Sequence, residues 1–155
     1  MLRATGYSLR HPADFRGRDG RATFWVYMLA AQLLLVVFAF AAIFAVPVLN
    51  LGYSGLAVSG VSITIVGLLL MAGSVVRRLH DSGLSGWIAV IPAAIQLATI
   101  IPPLLSPPEL QADTSLIPEV PLYQTLLEWL PYIIVMIIGV LPATPGANRY
   151  GKEAR

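Results

Sequence analysis

The sequence contains no cysteine. Disulfide frameworks, thiol nucleophiles and cysteine-based metal sites are therefore excluded. It has two histidines, His11 and His80. They are too few for an imidazole metal site, and no metal or other cofactor is expected. Charge is scarce as well. Asp, Glu, Lys and Arg make up 12% of the 155 residues, where a soluble domain has about 25%. Apolar types fill the gap at 57%, and mean hydropathy is +0.76. One soluble core of this size could not enclose that much apolar surface and still show water a charged exterior. Soluble globular, disordered and nucleic-acid-binding classes are disfavoured on composition, so nucleic acid is not an expected partner.

The charges that exist are unevenly placed. Fifty-five residues without one lie between Arg21 and Arg77, 27 between Asp81 and Glu109, and 20 between Glu128 and Arg149. A helix needs roughly 20 apolar residues to cross a hydrocarbon core of ~30 Å. The first gap has room for two crossings, parted by the turn signal Pro47-Val48-Leu49-Asn50-Leu51-Gly52-Tyr53. The pattern predicts helices over about Phe24–Val46, Ser54–Val76, Trp87–Leu105 and Leu122–Leu141. Pro92 and Pro131 are expected to kink the third and fourth helices, and Pro102-Pro103 to end the third. The fold class is all-α: one membrane domain over 1–155, an integral bundle of four transmembrane helices. A cleaved signal peptide competes for the first segment, with Ala39-Phe40-Ala41 as its site. The apolar run is longer than a signal h-region and continues past that triplet, so a retained helix is expected.

Orientation follows from the basic residues. Arg3, Arg10, Arg16, Arg18 and Arg21 precede the first helix. Arg77 and Arg78 separate the second from the third, and Arg149, Lys152 and Arg155 follow the fourth. The loop Ser106–Pro121 has Glu109, Asp113 and Glu119 and no base. The positive-inside rule predicts both termini in the cytoplasm and four crossings. Tyr53, Tyr123, Trp129 and Tyr132 would mark the outer interface, and Trp25, Tyr27 and Trp87 the inner one. On the second helix, Gly60, Thr64, Gly67 and Ser74 share a face, with Gly55 and Ser59 nearby. Small residues let helices approach in lipid, either within one chain or at a homodimer seam.

Three polar segments fall on the same side of that topology: Phe15–Trp25, Arg77–Trp87 and Pro142–Gly151. They resemble the bacterial membrane family called domain of unknown function 805. The resemblance lies in Gly17-Arg18, Arg21 and Phe24-Trp25, then in the unbroken run Arg77–Trp87. It continues in Thr144, Gly146, Asn148, Arg149, Tyr150 and Gly151. Ile88 and Ala143 depart from the family pattern, which has Trp and Gly there. The resemblance implies a small four-helix inner-membrane protein and supplies no established activity.

Read physically, Gly83 can close the second helix in a left-handed turn and Ser85 can cap the third. Asp81 stands three and four residues after Arg78 and Arg77, within helical pairing distance. Two readings of the segments stay open. One is a topogenic anchor that needs only positive charge. The other is a basic pocket for anionic headgroups or phosphates. Its candidates are Arg18, Arg21, Arg77, Arg78, His80, Asp81, Asn148, Arg149 and Tyr150. Glu128 is the one acid expected inside or beside the hydrocarbon, and intramembrane ionisable groups are functional candidates. Three functions compete. The first is a non-enzymatic protein binding membrane lipid or a protein partner, a second copy included, at its cytoplasmic face. The second is an oligomeric transporter or channel subunit using Glu128 and the kinked helices. The third is a lipid-headgroup enzyme. Catalytic residues are not expected, since nucleophile-elbow, H-E-x-x-H and P-loop patterns are missing.

Overall fold

The computed structural model describes residues 14–104 and 121–152. Among them the chain forms four α-helices: α1 (Arg21–Val48), α2 (Gly52–Asp81), α3 (Val90–Leu104) and α4 (Leu122–Val140). A 3-10 turn, Gly86–Ala89, leads into α3. The expected residues Arg3, Arg10, His11, Glu109, Asp113, Glu119 and Arg155 lie outside the described part.

Three helices, α1, α2 and α4, are long and apolar enough to cross a membrane. Their surfaces suit lipid. On α1 the side chains of Leu29, Leu33, Val37, Phe40 and Phe44 all face outward. α1 and α2 form an antiparallel hairpin through a turn in which Asn50 and Gly52 take positive φ (53° and 62°). α1 packs chiefly on α2, and α3 chiefly on α4. The two pairs join at the end of the molecule that carries the arginines. There Phe24, Met28, Val75, Leu79 and Ile138 form a buried core, with Trp25, Met71, Ile88 and Ala89 packed against it.

The helix ends differ from the hydropathy reading. α2 has 30 residues, about 45 Å at the helical rise, about ten residues more than a ~30 Å hydrocarbon core needs. Part of this excess is the polar stretch Arg77–Asp81. It stays helical because Asp81 pairs with Arg78 one turn back. Gly83 (φ 75°) then reverses the chain. The Leu84 amide donates to the Leu79 carbonyl at 2.9 Å and the Gly83 amide to the His80 carbonyl at 3.0 Å, the paired bonds of a glycine-closed helix end. Ser85 precedes the 3-10 turn, but its side chain makes no capping bond. Pro92 falls in the first turn of α3, where a missing amide is tolerated. Pro131 lies inside α4 and is buried.

One other expectation is corrected. Tyr27 does not mark the inner interface: it is buried, and its hydroxyl donates to the Leu70 carbonyl at 2.7 Å. The small-residue face of α2 divides. A Cβ at Gly67 would meet Leu35 Cδ1 at 2.9 Å, and Ser74 bonds Asp19, so both serve packing within the chain. Gly60 faces open space.

Candidate functional site

At the arginine-bearing end the three polar segments meet. Asp81 is the hub. Its Oδ2 accepts Arg78 Nη1 at 2.7 Å, and its Oδ1 accepts Arg18 Nε at 3.0 Å. Its backbone carbonyl accepts the Thr144 amide at 2.8 Å, Thr144 Oγ1 at 3.0 Å and Arg18 Nη2 at 3.3 Å. Arg78 is fully buried. Beyond Asp81 it donates from Nε to the Gly139 carbonyl at 3.3 Å and from Nη2 to the Leu141 carbonyl. These lie at the C-terminus of α4, where helix carbonyls lack intrahelical partners and the helix dipole favours a cation. Arg18 completes the join by donating to the Thr144 carbonyl at 2.7 Å and the Gly146 carbonyl at 2.6 Å.

A second knot lies beside the first. Asp19 Oδ2 accepts Ser74 Oγ at 3.0 Å and Arg77 Nε at 3.1 Å. The Asp19 amide donates to the Arg77 carbonyl at 3.1 Å. Arg77 Nη1 donates to the Asp14 carbonyl. Burial pushes the Asp19 carboxyl above its ordinary range, against the pull of Arg77 and the Ser74 hydroxyl. Asp81 therefore pairs with Arg78 and Arg18, while Arg77 takes Asp19.

The third group is the tail. Asn148 and Gly151 exchange backbone bonds at 3.0 Å, forming a tight turn tipped by Arg149 and Tyr150. The Asn148 amide donates to the His80 carbonyl at 2.9 Å and to Thr144 Oγ1 at 2.8 Å, and its Oδ1 accepts the Tyr150 amide at 2.9 Å. The Tyr150 ring stacks on His80 with centroids 3.7 Å apart and planes at 6°. His80 Nδ1 donates to the Gly17 carbonyl at 3.3 Å. The Arg149 guanidinium lies 4.7 Å from the Tyr150 centroid, on the outer side of the molecule.

Seven of the nine predicted patch residues thus join one network: Arg18, Arg77, Arg78, His80, Asp81, Asn148 and Tyr150. Arg149 and Arg21 are exposed at its edge. The geometry differs from an open basic pocket. Three guanidinium groups share two buried carboxylates and turn most of their other donors to carbonyls, while Arg77 Nη2 is buried without a hydrogen-bond partner among the described residues. Charges this well enclosed require such pairing. Glu128 is elsewhere: it is exposed on α4 and accepts from Gln124 Nε2 at 3.5 Å. Sequence reasoning missed Asp19, Ser74 and Thr144. The Asp19 signal was available, because three clustered arginines demand more than one acid.

The family model described as Protein of unknown function (DUF805) matches residues 12–152. The chain belongs to this family. Comparisons with curated proteins and with solved structures give no match. The matched span holds every residue of the DUF805 chain's network described above. Of the two departures from the pattern, Ile88 packs against the core and Ala143 is exposed. The family description carries no activity, so function rests on the geometry.

Proposed function

We propose that this DUF805 protein is a bacterial inner-membrane protein crossing the bilayer four times with both termini in the cytoplasm. Its cytoplasmic face is a non-enzymatic binding surface for anionic lipid headgroups. One observation carries the topology. The segment before α1 and the tail after α4 bond to each other directly, through Arg18 to Thr144 and Gly146. Segments on opposite sides of a ~30 Å core cannot touch, so an even number of crossings is favoured. The 3-10 turn and α3 together reach about 30 Å at their usual rises, enough for the fourth crossing. The basic character of the joined end supports its cytoplasmic placement.

The lipid reading is supported by the division of the cations. Arg18, Arg77 and Arg78 are enclosed, while Arg16, Arg21, Arg149 and Lys152 stay exposed at the same end, with Trp87 at 82% exposure. A rigid base with a cationic rim and an interfacial indole suits an anionic leaflet. An enzyme reading is less well supported, because His80 and Asp81 are both held in structural bonds. Native mass spectrometry of the purified protein tests the proposal. Phosphatidylglycerol should be retained over phosphatidylcholine, and equal retention would contradict the reading. A transporter reading is the alternative, resting on Glu128. Since Glu128 faces outward, its path would run between copies. Liposome flux unchanged by Glu128→Gln would remove it.

A further inference from the structure

We infer that Arg149 is the residue that meets the phosphate group of an anionic ligand at this face, and that Tyr150, His80 and Asn148 are positioning residues that hold it ready. The inference rests on the anionic-lipid reading above and assigns that surface its contact residue. The other central arginines are occupied. Arg18, Arg77 and Arg78 each have a carboxylate partner. Arg149 is exposed, and among the described residues no carboxylate lies within ion-pair distance of it.

Its exposure is not that of a free side chain. The guanidinium carbon lies over the Tyr150 ring, 4.7 Å from its centroid, and Tyr150 rests on His80 at 3.7 Å and 6°. The result is a stacked ring pair with the cation over its Tyr150 member. The ring pair is fixed from below. Asn148 ties the turn to the His80 carbonyl and to Thr144, and the backbone pair Asn148–Gly151 closes it. His80 is itself tied to the Gly17 carbonyl. No hydrogen bond or ion pair among the described residues occupies the Arg149 N–H fork, and a cation–ring contact uses none of its donors. That fork matches two oxygens of a phosphate, which a lysine ammonium cannot match. Holding the fork in place before binding removes part of the ordering cost of the contact. A topogenic anchor has no use for this scaffold, because charge alone sets orientation.

The chemistry recognised is a phosphate oxyanion that no cation of its own molecule offsets, either the phosphodiester of a net-anionic headgroup such as phosphatidylglycerol or free phosphate; the choline cation offsets the phosphate of phosphatidylcholine. The full chain is to be placed in phosphatidylcholine nanodiscs, in discs containing phosphatidylglycerol, and in phosphatidylcholine discs with added inorganic phosphate. Melting temperature and lipid retained in native mass spectrometry are read in each. The parent should respond to phosphatidylglycerol, to phosphate, or to both. Arg149→Ala should weaken that response about tenfold, the loss expected for one charge-assisted contact, and Arg149→Lys should fall between. Both should melt like the parent in plain phosphatidylcholine, since the side chain is exposed. Tyr150→Phe, which keeps the ring, should retain the response, and Tyr150→Leu should lose it as Arg149→Ala does.

A parent indifferent to both phosphate sources overturns the lipid reading and this inference with it. A parent that responds while Arg149→Ala responds equally overturns the assignment alone. Loss with Arg149→Ala but an unchanged response with Tyr150→Leu overturns the positioning role. The arm that responds identifies the source.

Discussion

Arg78 and Arg149 are the same residue type put to opposite uses. Arg78 is buried with three partners on two chain segments: Asp81 on α2, and the Gly139 and Leu141 carbonyls at the end of α4. Lysine has one compact ammonium and cannot span them. Arg78→Lys should therefore lower stability by about 3 kcal/mol, the worth of one or two bonds to a buried charge. Thermal melting in detergent checks this, and Arg149→Lys serves as the neutral control. An unchanged Arg78→Lys melting temperature would mean that the network bears no load. Asp19 adds a pH signature. Its carboxyl titrates above the ordinary value near 3.8 because it is buried. A raised folded-state pKa means that protonation favours the folded form. The Asp19 contribution is full below the ordinary pKa and is lost as pH rises through the folded value. The melting temperature of the parent relative to Asp19→Asn should thus rise on acidification from about pH 7 to about pH 4. A difference that shrinks over that range would contradict the burial argument. At this scale the sequence was half legible. Residue types and the Arg78–Asp81 spacing could be read directly. The partition of three arginines between Asp19 and Asp81 could not, because several pairings satisfy the same charges and only the backbone placement selects among them.

At the scale of elements, the four helices were legible as gaps in charge, but their ends were not. Hydropathy marks where a chain can sit in lipid, and helices continue past that point when polar side chains find partners. α2 therefore runs to Asp81, and the third apolar segment opens with a 3-10 turn. Helix contacts separate two glycines that look alike in sequence. A Cβ at Gly139 would overlap Trp25 Cζ2 and approach Phe24 Cε1 to 2.7 Å. Gly139→Ala should cost about 1–3 kcal/mol by overpacking where α4 meets α1. Gly60 has open space around it, so Gly60→Ala should be neutral or stabilising by up to about 1 kcal/mol through helix propensity. Melting of both variants in the same detergent tests the packing. Equal effects would contradict it. A Gly60→Ala loss would instead point to a partner helix on that face.

For the whole molecule, one relation is central: the segment before α1, the α2–α3 connection and the tail after α4 lie together. That three segments share a face was legible from where the basic residues fall. That they bond into one buried network was not, since it depends on the overrun of α2 and on the turn at Gly83. The most direct test is sidedness, and the lack of native cysteine makes it clean. Single cysteines are placed by Ala147→Cys in the tail and Asp113→Cys in the α3–α4 connection. Intact bacterial cells are then exposed to a membrane-impermeant maleimide. Labelling is expected at position 113 in intact cells and at position 147 only after permeabilisation. Labelling of position 147 in intact cells would put the tail outside and contradict the four-crossing topology together with the cytoplasmic binding face.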